Sequence, residues 1–148
     1  MAAYTAIDNA GLFFNTVLYT GNLSTNAITG VGFQPDFVWL KPYSTADSHS
    51  LFDAVRGVHI RLASNSTAAQ TTSTTSLTAF DSDGFTLGDN DRANADTETY
   101  VSWNWIANGS GSANTDGSIS STVSVNSTSN MSVVTFTGNG TSGTIGHG

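Results

Sequence analysis

The chain has 148 residues, enough for one domain of ordinary size with a buried core. Its net charge is −7 and it has only four basic residues, so it lacks the clustered cations that nucleic-acid phosphates require, and anionic lipid would repel it. Cysteine is absent and no apolar run approaches the ~20 residues of a membrane span, which excludes disulfides, thiolate metal sites and transmembrane helices.

Short runs of β-branched and aromatic residues recur at about 10–15-residue spacing, separated by Gly, Asn, Asp and Ser. Helical periodicity is nearly absent. This pattern predicts an all-β fold, an antiparallel β-sandwich with a C-terminal strand-forming extension. The predicted strands, in chain order, are FFNTVLYT, DFVWLK, SLFDAV, GVHIRLA, TSLTAF, GFTLG, TYVSWNWI, ISSTVSV and SVVTFTG.

The strand TYVSWNWI has two different faces. Val101, Trp103 and Trp105 alternate with a more polar set that includes Tyr100 and Asn104. Because the first set is apolar, we predict that it faces the core. DFVWLK carries apolar groups on both faces, which predicts a central strand covered on both sides.

The middle of the chain contains one ambiguous segment and one clear turn. SLFDAVRGVHIRLA has apolar residues at helical spacing, but Gly57 and its β-branched residues favour strands. Arg56 is expected to pair with Asp53 or with a turn carboxylate. Asp83-Gly84 predicts a tight hairpin in AFDSDGFTLG. The Ser/Thr-rich segment ASNSTAAQTTSTTS is expected to be a surface loop or an exposed edge strand.

The composition predicts three regions: a sandwich domain over 1–107, a Gly/Ser/Asn linker over 108–117 and C-terminal strands over 118–148. The last region repeats an earlier one, because VVTFTGNGTSGTIGHG matches TVLYTGNLSTNAITGVG. We therefore interpret it as the opening of a second repeat. Its strand needs a partner, either in its own sandwich or along a neighbouring subunit, and Val133, Val134 and Phe136 are the candidate pairing residues.

Four blocks carry a family resemblance: ITGVGFQPDFVWLK, LFDAVRG, LTAFDSDGFTLG and TYVSWNWIANGSG. In order and spacing they resemble tail-fibre-like virion structural proteins of tailed phages, often of aquatic bacteria. That family has repeated β-sandwich domains of the concanavalin-like or SPRY-like kind, a variant of the jelly-roll arrangement. The resemblance implies a structural or host-recognition role and carries over no catalytic residues.

Candidate ligand sites follow from three groups of side chains. Asp89, Asp91 and Asp96 could supply oxygen ligands to calcium, although their spacing does not match a helix–loop–helix calcium site, and Asp is also common in turns. No other cofactor is expected.

Tyr43 and Tyr100 are candidate glycan contacts, and Trp103 and Trp105 could join them if they are exposed rather than in the core. The chain has many serines but no Gly-x-Ser-x-Gly elbow and no carboxylate pair flanking a cleft, so we do not expect an enzyme.

These observations predict a phage virion protein, made in the host cytoplasm and carried on the extracellular particle. The first hypothesis is a tail fibre or other appendage component that recognises a host surface glycan. It would be a homo-oligomer, with a trimer favoured, and it would contact other virion proteins but neither nucleic acid nor membrane. The alternative is a capsid decoration or cement protein. A secreted carbohydrate-binding module is a third reading, disfavoured because MAAYTAIDNAG lacks signal-peptide features.

Overall fold

The computed structural model describes residues 7–148, which fold almost entirely into antiparallel β-strands. This confirms the predicted all-β fold. Helical structure in this range is limited to a 3-10 turn (Ala10–Leu12) and a single turn of helix, α1 (Asp91–Asn94), neither of which is long enough to cross a membrane. The strands are β1 (Phe14–Thr20), β2 (Asn26–Thr29), β3 (Phe37–Pro42), β4 (Ser50–Asp53), β5 (Ile60–Arg61), β6 (Thr71–Thr72), β7 (Leu77–Asp81), β8 (Gly84–Leu87), β9 (Thr99–Trp105), β10 (Ser112–Asn114), β11 (Ser121–Asn126) and β12 (Met131–Phe136).

Two sheets form the sandwich. The first has the strand order β1-β9-β3-β4 and the second has the order β2-β8-β7, and all neighbours within them are antiparallel. Their facing sides meet in one core cluster, to which Val38, Leu40 and Phe52 contribute from the first sheet, and Phe85 and Leu87 from the second. The predicted sandwich is therefore confirmed. Strand β3 lies in the interior of its sheet as expected, but it is not covered on both sides, because only one of its faces is buried.

The predicted core face of β9 is wrong. The buried residues of this strand are Tyr100, Ser102 and Asn104, whereas Trp103 and Trp105 are half-buried on the opposite side. Hydrogen bonds explain how a polar set can be buried, because the Asn104 amide donates to the Asn15 carbonyl at 3.2 Å and to the Ser102 hydroxyl at 3.0 Å. Alternation along a strand shows that two faces exist, but it does not tell which of them meets the second sheet.

The ambiguous segment and the hairpin both adopt the predicted structure. SLFDAVRGVHIRLA forms β4, a turn and β5, and Gly57 in the turn has a φ of 99°. Arg56 pairs with Asp53 at 2.6 Å, as predicted. Strands β7 and β8 form the predicted hairpin, but its two-residue loop is Ser82-Asp83, because Asp81 pairs with Gly84 and Gly84 already belongs to β8.

A third sheet, with the order β10-β11-β12, contains the C-terminal strands. The prediction that the strand near residues 132–137 is paired is confirmed, since β12 pairs along its whole length with β11. The segment 108–117, predicted as a linker, is not uniformly irregular: it contains β10, which pairs with β11. Composition could not distinguish a linker from a strand here, because small polar residues suit both a flexible linker and a short exposed strand.

The two matching sequence segments adopt the same local turn. Asn22 and Asn139 occupy equivalent positions, and each side chain accepts a bond from the backbone N–H two residues later, at 2.9 and 3.0 Å. The next residues, Leu23 and Gly140, both have positive φ, 48° and 74°. These shared features support a genuine repeat, in which β12 is the counterpart of β1.

Candidate functional site

The outer face of the first sheet carries an ordered set of aromatic and aliphatic side chains. The strand register places Phe14, Trp105 and Phe37 side by side in one row across β1, β9 and β3. The next row contains Trp103 and Trp39, and the register pairs Trp39 with Leu51 of β4. A third row contains Leu18, Val101 and Lys41. We call this surface the aromatic face.

Ring contacts hold the aromatic face together. Trp105 lies 4.8 Å from Phe14 and 5.3 Å from Phe37 between ring centroids, and Trp39 meets Trp103 edge-on at 5.7 Å. Tilted and edge-on contacts at these distances are favourable for aromatic rings. The indoles are therefore fixed in position by their neighbours, which suits a preformed contact surface.

A hydrogen bond sets the protonation state of His49 beside this face. The Trp39 indole N–H donates to His49 Nδ1 at 2.8 Å, so this nitrogen must be unprotonated to accept it. Burial lowers the pKa of His49, and the nearby charge of Lys41 lowers it further. At neutral pH the imidazole is therefore uncharged and orients the Trp39 ring.

The third sheet borders one end of the aromatic face. Met131 shares a small cleft with Phe14 and Trp105, in the first row. Farther along the face, Leu18 is 65% exposed. Monomeric proteins rarely leave large contiguous apolar patches uncovered without an interaction that uses them. The part of the face around Leu18, Trp103 and Trp39 is thus the apolar surface that a ligand can reach.

The two tyrosines predicted to contact a glycan lie in different environments. Tyr43 is 57% exposed and follows β3. Tyr100 is 1% exposed, and its ring stacks on Tyr19 in the interior with centroids 4.9 Å apart. The prediction for Tyr100 is wrong, because its hydroxyl is engaged with the backbone of Asp91 and Ala95.

The predicted calcium ligands do not form a cluster. Asp89, Asp91 and Asp96 are all exposed; Asp91 begins α1, and the other two lie before and after it. Within residues 7–148, no group of three or more acidic, histidine or cysteine side chains is arranged to hold a metal ion, so this prediction is wrong. Asp91 occupies the first turn of α1, where a carboxylate interacts favourably with the helix dipole.

The predicted pairing residues lie on an open strand edge. Val133 and Val134 are half-buried in β12, and Phe136 at its end is 53% exposed. Within the described residues, β12 has a partner on one side only. Its free side borders a cleft of about 400 Å³ that also touches Asp53, Arg56 and Leu62.

The comparison with protein families assigns the chain to a family over nearly its whole length. The chain belongs to the DUF7483 family, a domain of unknown function. The match covers residues 9–148, so the family domain includes the sandwich and the third sheet together. No curated protein and no solved structure was found to match the chain.

Sequence reasoning missed the aromatic face because it placed the tryptophans in the core. The sequence did contain a signal for the correct buried face. Tyr100 lies on the face opposite Trp103 and Trp105, and a tyrosine can be buried when its hydroxyl bonds to backbone groups. Among strand residues, aromatic side chains are usually packed inside, so the pattern favoured the core assignment. The tertiary structure instead places both tryptophans on the outer face of the sheet.

Proposed function

We propose that this DUF7483 protein is a structural component of a tailed-phage virion, in a tail fibre or another appendage, that binds a glycan on the host surface. The observation that carries this proposal is the uncovered aromatic face beside β1, with Leu18, Trp103 and Trp39. The resemblance of four sequence blocks to tail-fibre-like proteins supports the virion context.

The chemistry of the aromatic face suits a sugar. The C–H faces of a pyranose ring are apolar and pack against aromatic rings, while its hydroxyls need hydrogen-bond partners. Thr16 lies in the same row as Trp103, and it is exposed. A surface with few charges reduces non-specific ionic binding, and charged residues make up only 10% of this chain.

A pair of matched leucine variants tests the binding surface. We expect Leu18→Asn to weaken binding to a glycan-array hit by about tenfold, because it removes most of a leucine-sized apolar contact. Leu23→Asn is the control: Leu23 is 47% exposed, lies outside the face and has a φ of 48°, which Asn tolerates well. Equal affinities for the two variants, or an array without hits, would refute glycan binding by this face.

The location of the protein tests the virion context. Purified particles are labelled with antibody against the protein and viewed by electron microscopy. Label on tails supports the appendage, label on shells supports the decoration role described next, and particles without the protein refute both.

The open edge of β12 favours a second candidate function, a capsid decoration or cement protein. An unpaired strand edge can add a strand from another chain, which would join neighbouring subunits without cysteine or metal. We expect Phe136→Lys to reduce self-association in sedimentation experiments, because a charged side chain at an edge disfavours pairing. Ser127→Lys, in the β11–β12 turn, is the control. If both variants sediment like the wild type, the strand-addition role is rejected.

A further inference from the structure

A polar cavity of about 470 Å³ opens at one edge of the sandwich, and none of its lining residues belongs to the aromatic face. Its walls come from the β5–β6 pair, the loop between them, the start of β7 and α1. Hydroxyl side chains line much of it, among them Ser48, Ser66, Thr72 and Ser73. Small alanines from the loop complete the wall. A cavity with this lining offers hydrogen bonds to a hydroxylated ligand and room for its carbon skeleton.

Two of the four basic residues of the chain lie in this cavity, Arg61 and Arg92. The other two are already engaged: Arg56 pairs with Asp53 at 2.6 Å, and Lys41 donates to the Pro42 and Thr45 carbonyls. Within residues 7–148, neither cavity arginine has a carboxylate within 4.0 Å. Two cations without a carboxylate partner in the described residues are therefore brought to one place.

Arg61 is held in position by neutral acceptors. Its Nε donates to the Ser50 hydroxyl at 2.7 Å and its Nη2 donates to the His49 carbonyl at 2.9 Å, while the side chain is 8% exposed. Its Nη1 makes no hydrogen bond in the described part of the chain. A buried cation without a counter-charge is costly, so its retention beside a cavity points to a ligand that supplies the charge.

The charges around the cavity are mixed. Burial lowers the pKa of Arg61, and the positive charge of Arg92 lowers it further, while Asp47 raises it. Arginine nevertheless stays protonated at neutral pH, so both guanidinium groups are charged. Asp89 and Asp91 flank α1 but are exposed to solvent, where screening over about 8 Å weakens their effect on a bound anion.

We propose that this cavity binds the carboxylate or sulfate group of an acidic saccharide. The guanidinium groups of Arg61 and Arg92 contact the anionic group, and the serine and threonine hydroxyls bind the hydroxyls of the sugar. Two cations in a chain of net charge −7 suit a ligand with one anionic group in the cavity, because a polyanion would be repelled by the rest of the surface. This site is independent of the aromatic face, so either proposal can fail without the other.

Titration calorimetry with three probes of similar size tests the site: a galactose trisaccharide in which one residue is galacturonate, a singly sulfated galactose trisaccharide and a neutral galactose trisaccharide. We expect at least one acidic probe to bind about tenfold or more tightly than the neutral probe, as one hydrogen-bonded charge contact would produce. The two acidic probes distinguish a carboxylate ligand from a sulfate ligand.

Substitutions of Arg92 assign the binding to the cavity. Arg92 is exposed and its side chain has no hydrogen bond within residues 7–148, so Arg92→Gln should fold normally. We expect Arg92→Gln to weaken acidic-probe binding about tenfold, and Arg92→Lys to weaken it less, because Lys keeps the charge but loses the planar pair of donors. Asn108→Asp changes the net charge by the same amount outside the cavity and should leave the affinity unchanged.

Three results would overturn the proposal. They are equal affinity for the neutral and acidic probes, no binding of either acidic probe by calorimetry, and an Arg92→Gln variant that binds like the wild type. A loss of affinity in Asn108→Asp equal to that in Arg92→Gln would also overturn it, since overall charge rather than the cavity would then control binding.

Discussion

The side chain of Asn94 connects three parts of the sandwich, and its removal should be among the most damaging substitutions of a polar residue. It is fully buried at the end of α1. Its Oδ1 accepts bonds from the Asn22 backbone N–H at 3.1 Å and the Asn26 amide at 2.9 Å. Its Nδ2 has two hydrogens for three acceptors, Asn22 Oδ1, the Ser24 carbonyl at 2.6 Å and the Gly88 carbonyl at 2.7 Å, so one hydrogen is shared between two of them.

The expected cost of Asn94→Ala follows from these five contacts. At about 1 kcal/mol for each hydrogen bond, with some partners regaining bonds to water, the free energy of unfolding should fall by about 3–5 kcal/mol. Domains typically have about 5–15 kcal/mol of stability in total, so this loss is large. For a urea dependence of about 2 kcal/mol per molar, the unfolding midpoint should fall by about 2 M.

Urea unfolding followed by circular dichroism measures this loss. Asn108→Ala is the matched control, because Asn108 is exposed and its side chain makes no hydrogen bond within residues 7–148; we expect a change within about 0.5 kcal/mol. A loss below about 1 kcal/mol in Asn94→Ala would refute the reasoning, since it would mean that the five contacts contribute almost nothing net.

Three further predictions concern backbone geometry and pH. Gly84→Ala should lower the midpoint temperature of unfolding far more than Gly57→Ala. A Cβ at Gly84 would lie 2.0 Å from the Ile28 carbonyl oxygen, whereas a Cβ at Gly57 would meet open space. Similar midpoint temperatures for the two variants would contradict this. Hydrogen bonds from the backbone N–H groups of Gly32 and Gly30 lower the pKa of the Asp83 carboxyl in the folded protein. The ionised carboxylate therefore stabilises the fold above the pKa that Asp83 has in the unfolded chain, and this stabilisation is lost as pH falls through the lowered pKa of the folded state. The stability difference between wild type and Asp83→Asn should therefore be present at pH 6 and vanish in strong acid; a difference that persists there would contradict the assignment. Protonation of His49 breaks its bond to the neighbouring indole, so acidification through its lowered pKa should change tryptophan fluorescence in the wild type but not in His49→Gln.

The sequence predicted local structure well where the signal was local. The Asp83-Gly84 hairpin depends on residues a few positions apart, and so does the pairing of Arg56 with Asp53. The short strand β10 was missed because it has almost no apolar side chains, so its pairing with β11 leaves little trace in composition.

The candidate sites were harder to predict because they depend on contacts between distant segments. Arg61 and Arg92 are 31 positions apart in the chain, and their shared cavity exists only because α1 packs beside the β5–β6 pair. The three predicted calcium ligands are close in sequence but diverge in space, since proximity along a loop does not orient side chains toward one point.

The amino-acid sequence alone determined that this chain forms antiparallel strands and where most of them lie, because strand propensity, alternation and turn residues act over a few neighbouring positions. Only the tertiary structure decided which face of β9 is buried. Tyr100 and Asn104 could enter the core because backbone groups from other segments bond to the Tyr100 hydroxyl and accept from the Asn104 amide N–H, and this placed Trp103 and Trp105 on the outer surface. Alternation identified the two faces of β9, but the groups that bond to the buried polar side chains come from distant parts of the chain, and alternation within one strand carries no information about them.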